Sequence, residues 1–207
     1  MNTHFLLSMV GAFGRSFVGI IQTPYITYRH ISQKEDIRML PFIAIFIALY
    51  LALAGLARGG LSDSPLFLTK SFIKISGGIV LTYVFAVVVM GLLGKMMKAD
   101  VSWLRIGVLW AWTLIPTSFW FVVSSLFFIL LPPPRTPSIW GQLASALFLS
   151  LSLGILMWKG MLYYLTLRFG LRIDMSKILI ISLFFFPIMG IYSVFLYRAG
   201  VFRIPFI

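Results

Sequence analysis

The chain has 207 residues, of which 60% are hydrophobic and 11% are charged, and its mean hydropathy is +1.02. This composition excludes an ordinary soluble domain and predicts an integral membrane protein. The formal charge of +12 is scattered between apolar runs, which suits anionic lipid headgroups and argues against a nucleic-acid partner, since nucleic acid calls for one contiguous basic face.

The first predicted element is an amphipathic helix within residues 1–22. Large apolar side chains recur there at helical spacing, while Arg15 and Gln22 fall on the opposite side. A helix of this kind lies flat at the membrane interface, and Pro24 ends it because proline interrupts helical hydrogen bonding.

A polar stretch, "TPYITYRHISQKEDIRML", leads into the first long apolar run. Tyr25 and Tyr28 fall at helical spacing toward the membrane, with Arg29 available to water or phosphates, which predicts a second short interfacial helix. Segment 1–38 is then either a basic, aromatic membrane anchor or a docking patch for a partner. In both cases Pro24, Tyr25, Tyr28 and Arg29 are its predicted contacts with lipid or partner.

Five apolar runs follow, each close to the roughly 20 residues that a helix needs to cross a bilayer. They lie at 39–57, 75–93, 103–131, 139–158 and 175–197. Because open strands cannot cross lipid, the runs predict an all-α bundle of five transmembrane helices in one domain, 39–207. No internal repeat is evident. Lys and Arg are denser in the connections on the N-terminal side, which predicts a cytoplasmic N-terminus and a C-terminus outside.

Two prolines and one lysine inside the runs are candidate functional residues. Pro116 and Pro187 interrupt the third and fifth runs, and each is either a hinge that shapes a groove or a kink that serves packing. Lys159 is either a site for an anionic lipid or substrate, or a lysine that extends its ammonium to the interface beside Trp158.

Small residues recur every fourth position in two of the runs. Such rows let helix backbones approach closely in lipid, so they predict two helix contacts. The rows are Ala44, Ala48 and Ala52 in the first run and Ala146, Ser150 and Gly154 in the fourth.

Side chains that carry chemistry are scarce. All acidic residues fall in predicted loops, both histidines lie in segment 1–38, and the chain has no cysteine. Enzymes and proton-coupled carriers of the membrane place carboxylates, histidines or metals at membrane depth. The sequence therefore predicts a protein that is not an enzyme, with no catalytic residue, no metal site and no cofactor.

Three stretches resemble one known family. "GIIQTPYITYRHIS" looks like the proline, aromatic and basic stretch that begins the Yip (Ypt-interacting protein) domain. "VSWLRIGVLWAWTLIPTSF" is similar to the third helix of that family, and "LYYLTLRFGLRIDMSKILII" to its link between the fourth and fifth helices. The resemblance implies a five-helix membrane domain with a cytoplasmic N-terminus. Eukaryotic relatives are associated with Rab-type GTPases through a longer N-terminal region, whereas a segment as short as 1–38 favours a prokaryotic inner-membrane role.

Two functions follow as expectations. The first is a non-enzymatic membrane scaffold or accessory subunit, whose partners are the bilayer, anionic headgroups and other membrane proteins or a second copy. The alternative is a transporter or lipid scramblase that uses a proline-kinked groove near Lys159.

Overall fold

The structure is a computed structural model and describes residues 3–34, 37–59, 70–130 and 139–201. Every regular element in these ranges is a helix. In chain order the helices are α1 (Thr3–Gln22), α2 (Pro24–Lys34), a 3-10 turn (Ile37–Met39), α3 (Leu40–Gly59), α4 (Lys70–Met96), α5 (Trp103–Trp112), α6 (Leu114–Leu130), α7 (Ile139–Gly170) and α8 (Met175–Arg198).

Four stretches are long and apolar enough to cross a membrane, judged by length and composition over the described residues. They are Ser76–Met96, Trp103–Ser124, Ile139–Gly170 and Met175–Arg198. These stretches fall on four of the runs that the sequence predicts, and the protein is an all-helical, multi-pass membrane protein. In α3 the described apolar part, Leu40–Leu49, is shorter than a span.

The short helix α5 forms the centre of the bundle. Its side chains from Arg105 to Trp112 are all buried, although it has only 10 residues. It packs against α2, α3, α4, α6 and α7. Two apolar clusters meet on it, since Ile106 and Trp110 belong to one and Leu109 and Trp112 to the other. Burial on every side of α5 explains why its sequence shows no polar face.

The third predicted run is broken just before Pro116. Helix α5 ends at Trp112, Thr113 forms a turn, and Pro116 lies buried in the first turn of α6. There its missing N–H costs little because the first turn has no intrahelical acceptor for it. The N–H and hydroxyl of Thr113 both donate to the Trp110 carbonyl, at 3.0 and 2.7 Å. Pro187, by contrast, is exposed and lies inside α8, which continues past it to Arg198.

The connection between α4 and α5 (97–102) and the connection between α7 and α8 (171–174) lie at the same end of the bundle, which we call the turn end. Helices α4 and α5 form one helical hairpin, and α7 and α8 form another. Helix α4 packs against α8, and α5 packs against α7, so each hairpin contributes one helix to each of these contacts. Helix α2 also packs near this end, against α5 and α7.

The described members of the two rows of small residues are not covered by another helix of the described chain. Ala44 and Ala48 are exposed on α3, and the side chain of Ala52 is outside the described residues. Ala146, Ser150 and Gly154 are exposed on α7, and a Cβ added at Gly154 would meet no atom within 4 Å. A four-residue spacing identifies a helix face but not what covers it, so a helix of the described residues need not pack on either row.

Candidate functional site

The two turns at the turn end share a sequence pattern. "KADVS" covers Lys98 to Ser102, and "RIDMS" covers Arg172 to Ser176: a basic residue, an apolar residue, an aspartate, another apolar residue and a serine. Lys98 and Arg172 both adopt the left-handed backbone conformation, with φ of 54° and 53°. At a helix C-terminus this conformation is usually taken by glycine, because a side chain makes it unfavourable.

The backbone around Lys98 shows how α4 ends. Its N–H donates to the Lys95 carbonyl at 3.0 Å, and the N–H of Ala99 donates to the Gly94 carbonyl at 2.9 Å. These two bonds form a Schellman motif with Lys98 at the left-handed position. A long cationic side chain thus stands where glycine would be favoured.

Arg105, at the start of α5, joins the two turns. It is 3% exposed, and its Nε donates to the Gly170 carbonyl at 2.8 Å. Its Nη2 donates to the backbone carbonyl and to the Oδ2 of Asp100, at 2.6 and 3.2 Å. The planar guanidinium suits this task because its fork of donors reaches several fixed acceptors at once.

Both aspartates of the turns are engaged by arginines. Asp100 Oδ2 also accepts from Arg172 Nη1 at 3.0 Å, so it joins the α4–α5 turn to the α7–α8 turn. Asp174 Oδ1 accepts from Arg168 Nη1 at 2.8 Å, and the same nitrogen donates to the Ile173 carbonyl at 2.7 Å. The carboxylates at this end therefore already have cationic partners.

Three lysines surround the α4–α5 turn and have no ion-pair partner within the described part of the chain. Lys95 places its Nζ 5.2 Å from the ring centroid of Trp103, a cation–π contact. Lys98 is exposed in the turn, and Lys177, from the first turn of α8, donates to the Met97 carbonyl at 3.4 Å. The turn end consequently carries more positive than negative charge.

Helix α2 is held to the bundle by Tyr28. This side chain is fully buried, and its hydroxyl donates to the Leu109 carbonyl at 3.3 Å. The Leu109 carbonyl lacks its usual helical partner because the N–H of Thr113 turns to Trp110 instead. Thr166 on α7 reaches the same carbonyl at 3.5 Å, so hydroxyls from two helices occupy the place that the end of α5 leaves open.

Burial also changes the acidity of Tyr28. Removal of the phenol from water raises its pKa well above 10.0, and hydrogen bonding with Thr166 offsets a smaller part of that rise. Tyr28 therefore stays neutral across the physiological range.

The other residues of the predicted contact set are more accessible. Pro24 is half-buried and forms the first residue of α2, so it begins a helix as well as following the end of α1. Tyr25 is exposed and forms an edge-to-face contact with Phe169, with the ring centroids 5.0 Å apart, and Arg29 is exposed. The structure thus corrects one expectation: Tyr28 faces the protein and offers no surface to lipid or a partner.

The predicted groove residues are not brought together. Lys159 lies half-buried on α7, about 16 Å along the helix from Gly170 at a rise of 1.5 Å per residue. An open apolar cleft of about 340 Å³ does lie between α4 and α8, just beyond Pro187. The residues that line it are Phe85, Ile188, Ile191, Tyr192 and Phe195. Neither Lys159 nor Pro116 lines this cleft.

Sequence reasoning did not identify Arg105 or the lysines around the α4–α5 turn as a group. One signal was available, because the pattern of "KADVS" recurs in "RIDMS" at corresponding helix connections. Within the described residues, no group of three or more His, Cys, Asp or Glu is placed to hold a metal ion.

Comparison with protein-family models, curated proteins and solved structures finds no match for this chain. The resemblance to the Yip domain stays a prediction from the three stretches quoted above.

Proposed function

We propose that this chain is a non-enzymatic membrane scaffold or accessory subunit, which associates with other membrane proteins or with a second copy through an exposed face of α7. The observation that carries the proposal is the row formed by Ala146, Ser150 and Gly154, which lies exposed on a helix long enough to span a membrane. Large exposed apolar side chains such as Leu149 and Leu153 flank it.

Association through such a row has a physical cause. Lipid tails are as apolar as leucine, so helices gain little from hydrophobic burial inside a bilayer. They gain instead from close backbone approach, which small residues permit. The row on α7 leaves that approach available to a helix from outside the chain, since no helix of the described chain covers it.

The wider arrangement belongs to the same proposal. Helix α3 is a fifth span, because its 20 residues extend about 30 Å, close to the thickness of a bilayer core. Helices α1 and α2 lie at the interface, where Tyr25 and Arg29 meet lipid. With the turn end on the cytoplasmic side of a prokaryotic inner membrane, the N-terminus is inside and the C-terminus is outside. Similarity to short Yip-domain proteins supports this arrangement.

Co-purification tests the scaffold proposal. Tagged protein, extracted in mild detergent and analysed by mass spectrometry, is expected to retain a membrane-protein partner or a second copy. Gly154→Leu is expected to lose it, because the new side chain separates the backbones. Gly160→Leu is the matched control, since Gly160 is exposed on α7 but lies off the row. A monodisperse monomer without any bound protein in the wild type would contradict the proposal.

The α4–α8 cleft favours a second candidate, lipid or solute movement. The cleft lies beside Pro187, and a proline inside a spanning helix can shape a groove between helices. Liposomes with fluorescent lipid would compare the wild type with Pro187→Ala, and Pro116→Ala and Lys159→Ala would test the residues outside the cleft. Flux that equals that of empty vesicles would remove this candidate for the lipids used.

A further inference from the structure

The turn end combines lysines that form no ion pair among the described residues, an exposed aromatic ring and the ends of candidate membrane-spanning helices. From these features we propose that Lys95, Lys98 and Lys177 form a binding site for the phosphate of an anionic phospholipid headgroup. The inference rests on the proposed placement of the turn end at the membrane surface, but not on any protein partner.

The first step is the distribution of charge. Asp100 accepts from Arg105 and Arg172, and Asp174 accepts from Arg168. These pairs engage both carboxylates that the two turns supply. The ammonium groups of Lys95, Lys98 and Lys177 have no such partner among the described residues, so none of them has to leave a described ion pair to bind an anion from outside the chain.

The second step is the backbone of Lys98. The left-handed conformation at this position favours glycine, and yet the chain carries lysine. Arg172 occupies the corresponding position of the other turn with nearly the same φ, and its side chain binds Asp100. The Lys98 side chain has the same backbone setting and is exposed as well, but it forms no ion pair among the described residues, which leaves its ammonium available to a ligand.

The third step is the geometry around the α4–α5 turn. Lys177 Nζ lies 3.4 Å from the carbonyl of Met97, the residue before Lys98, so the first turn of α8 brings a lysine against this turn. Lys95 approaches from the end of α4 and lies over Trp103. Three ammonium donors thus come from the end of α4, the turn itself and α8.

The kind of anion follows from the position in the membrane. Trp103 is 41% exposed at the start of a candidate span, and amphipathic aromatic rings of this kind sit at headgroup level. Phosphate oxygens accept charge-assisted hydrogen bonds from several lysines at once, and basic groups between helices on the cytoplasmic side bind acidic headgroups. A phospholipid with net negative charge is therefore the ligand that fits.

Native mass spectrometry of delipidated protein tests the proposal, with dioleoylphosphatidylglycerol as the anionic probe and dioleoylphosphatidylcholine as the zwitterionic one. The wild type is expected to retain phosphatidylglycerol preferentially. Lys98→Gln is expected to weaken binding roughly fivefold, and the triple change of Lys95, Lys98 and Lys177 to Gln considerably more. Lys74→Gln is the matched control, because Lys74 is exposed near the other end of α4. It should leave binding unchanged.

Lys98→Gly distinguishes an effect of the lost charge on lipid binding from an effect on the stability of the fold. Glycine accepts the left-handed conformation, so this variant is expected to be at least as heat-stable as the wild type while it binds phosphatidylglycerol as weakly as Lys98→Gln. Equal retention of both lipids by the wild type, or equal losses in Lys74→Gln and Lys98→Gln, would overturn the proposal. Complete displacement of phosphatidylglycerol by millimolar inorganic phosphate would point to a site for free phosphate and would also overturn it.

The experiment is independent of the scaffold proposal. Lipid retention is counted on the isolated chain, whereas association is read from co-purifying protein and responds to Gly154→Leu. Loss of one readout with the other intact shows which proposal has failed.

Discussion

Arg105 is the residue on which the turn end depends most. Its guanidinium reaches the carbonyls of Gly170 and Asp100 together with the carboxylate of Asp100. Lysine carries the same charge but cannot present a planar fork to these acceptors. At least one buried carbonyl would then lose its donor. We expect Arg105→Lys to lower the free energy of unfolding by about 1–3 kcal/mol.

Detergent-solubilised protein titrated with sodium dodecyl sulfate and followed by circular dichroism would measure this loss. Arg29→Lys is the control because Arg29 is exposed on α2, and it should change stability by less than about 0.5 kcal/mol. Equal effects of the two substitutions would show that the hydrogen bonds of Arg105 contribute little.

Tyr28 makes stability depend on alkaline pH. Its pKa is raised by burial, so the folded state resists ionisation that the unfolded chain undergoes near pH 10.0. The stabilisation is fully present below that pH and is lost as the pH rises above it. Tyr28→Phe removes the hydroxyl, which costs about 1 kcal/mol at neutral pH through the lost bond to Leu109.

Thermal unfolding of the wild type and Tyr28→Phe would test this dependence on pH. The measurements run from about pH 8 to about pH 11, a range that includes the ordinary pKa of tyrosine. The difference in melting temperature between the two proteins is expected to shrink as the pH rises. Only the wild type is destabilised, because ionisation of the Tyr28 phenol favours its unfolded state. A constant difference would contradict the proposed linkage.

The same tyrosine shows what a single sequence can and cannot specify at the residue scale. Spacing places Tyr25 and Tyr28 near one side of a helix, and α2 is indeed a helix. A periodic apolar face is compatible both with lipid and with a protein core, since each is apolar. The structure supplies the missing reason. Because α5 ends at Trp112, the Leu109 carbonyl lacks its usual helical donor, and the Tyr28 hydroxyl turns inward to donate to it.

At the scale of elements, Gly94 in α4 lies against side chains from both turns. A Cβ at this position would lie 2.6 Å from Leu171, which is fully buried, and 3.2 Å from Val101. The atoms that the Cβ would meet are side-chain methyl groups, and the Leu171 side chain cannot move into open space because it is fully buried. We expect Gly94→Ala to destabilise the fold by about 1–3 kcal/mol.

Gly77→Ala is the matched control in the same helix, where an added Cβ meets no atom within 4 Å. It is expected to be neutral or to stabilise α4 by up to about 1 kcal/mol, because alanine is the better helix former. The detergent titration that measures Arg105→Lys would compare the two. Similar stability of the alanine variants would contradict close packing of the turns.

The positions of the long helices were largely predictable, whereas the residue at which the third run is interrupted and the contacts between helices were not. Runs of about 20 apolar residues identify spans because the bilayer fixes their length. Pro116 indicates an interruption of the third run, but the helix is interrupted at Thr113, three residues earlier. The proline therefore lies in the first turn of α6. The row at Ala146, Ser150 and Gly154 is equally visible in the sequence, yet only the structure shows that it is exposed.

At the scale of the whole molecule, α4–α5 and α7–α8 are two similar hairpins. The same five-residue pattern lies at the connection of each hairpin: α5 begins directly after it, and α8 begins within it, at Met175. The contact of α4 with α8 corresponds to the contact of α7 with α5 when the two hairpins are interchanged. This is the contact pattern of an approximate two-fold arrangement. The similarity was hidden in the sequence because it is confined to the turns, while the helices have different neighbours: α5 is buried from Arg105 to Trp112 and α8 is largely exposed.

The arrangement predicts which parts of the chain are exposed on the same side of the membrane. Two antiparallel hairpins with both turns at one end require Met96 and Ser176 to share a side, with Ala199 on the other. Because the native chain has no cysteine, single-cysteine variants at these exposed positions report their sides without background. In intact cells, a membrane-impermeant maleimide is expected to label Ala199→Cys and to spare Met96→Cys and Ser176→Cys until the membrane is opened. Labelling of Met96→Cys and Ser176→Cys from opposite sides would contradict the paired hairpins, whereas labelling of both from outside would keep the hairpins and reverse the proposed orientation.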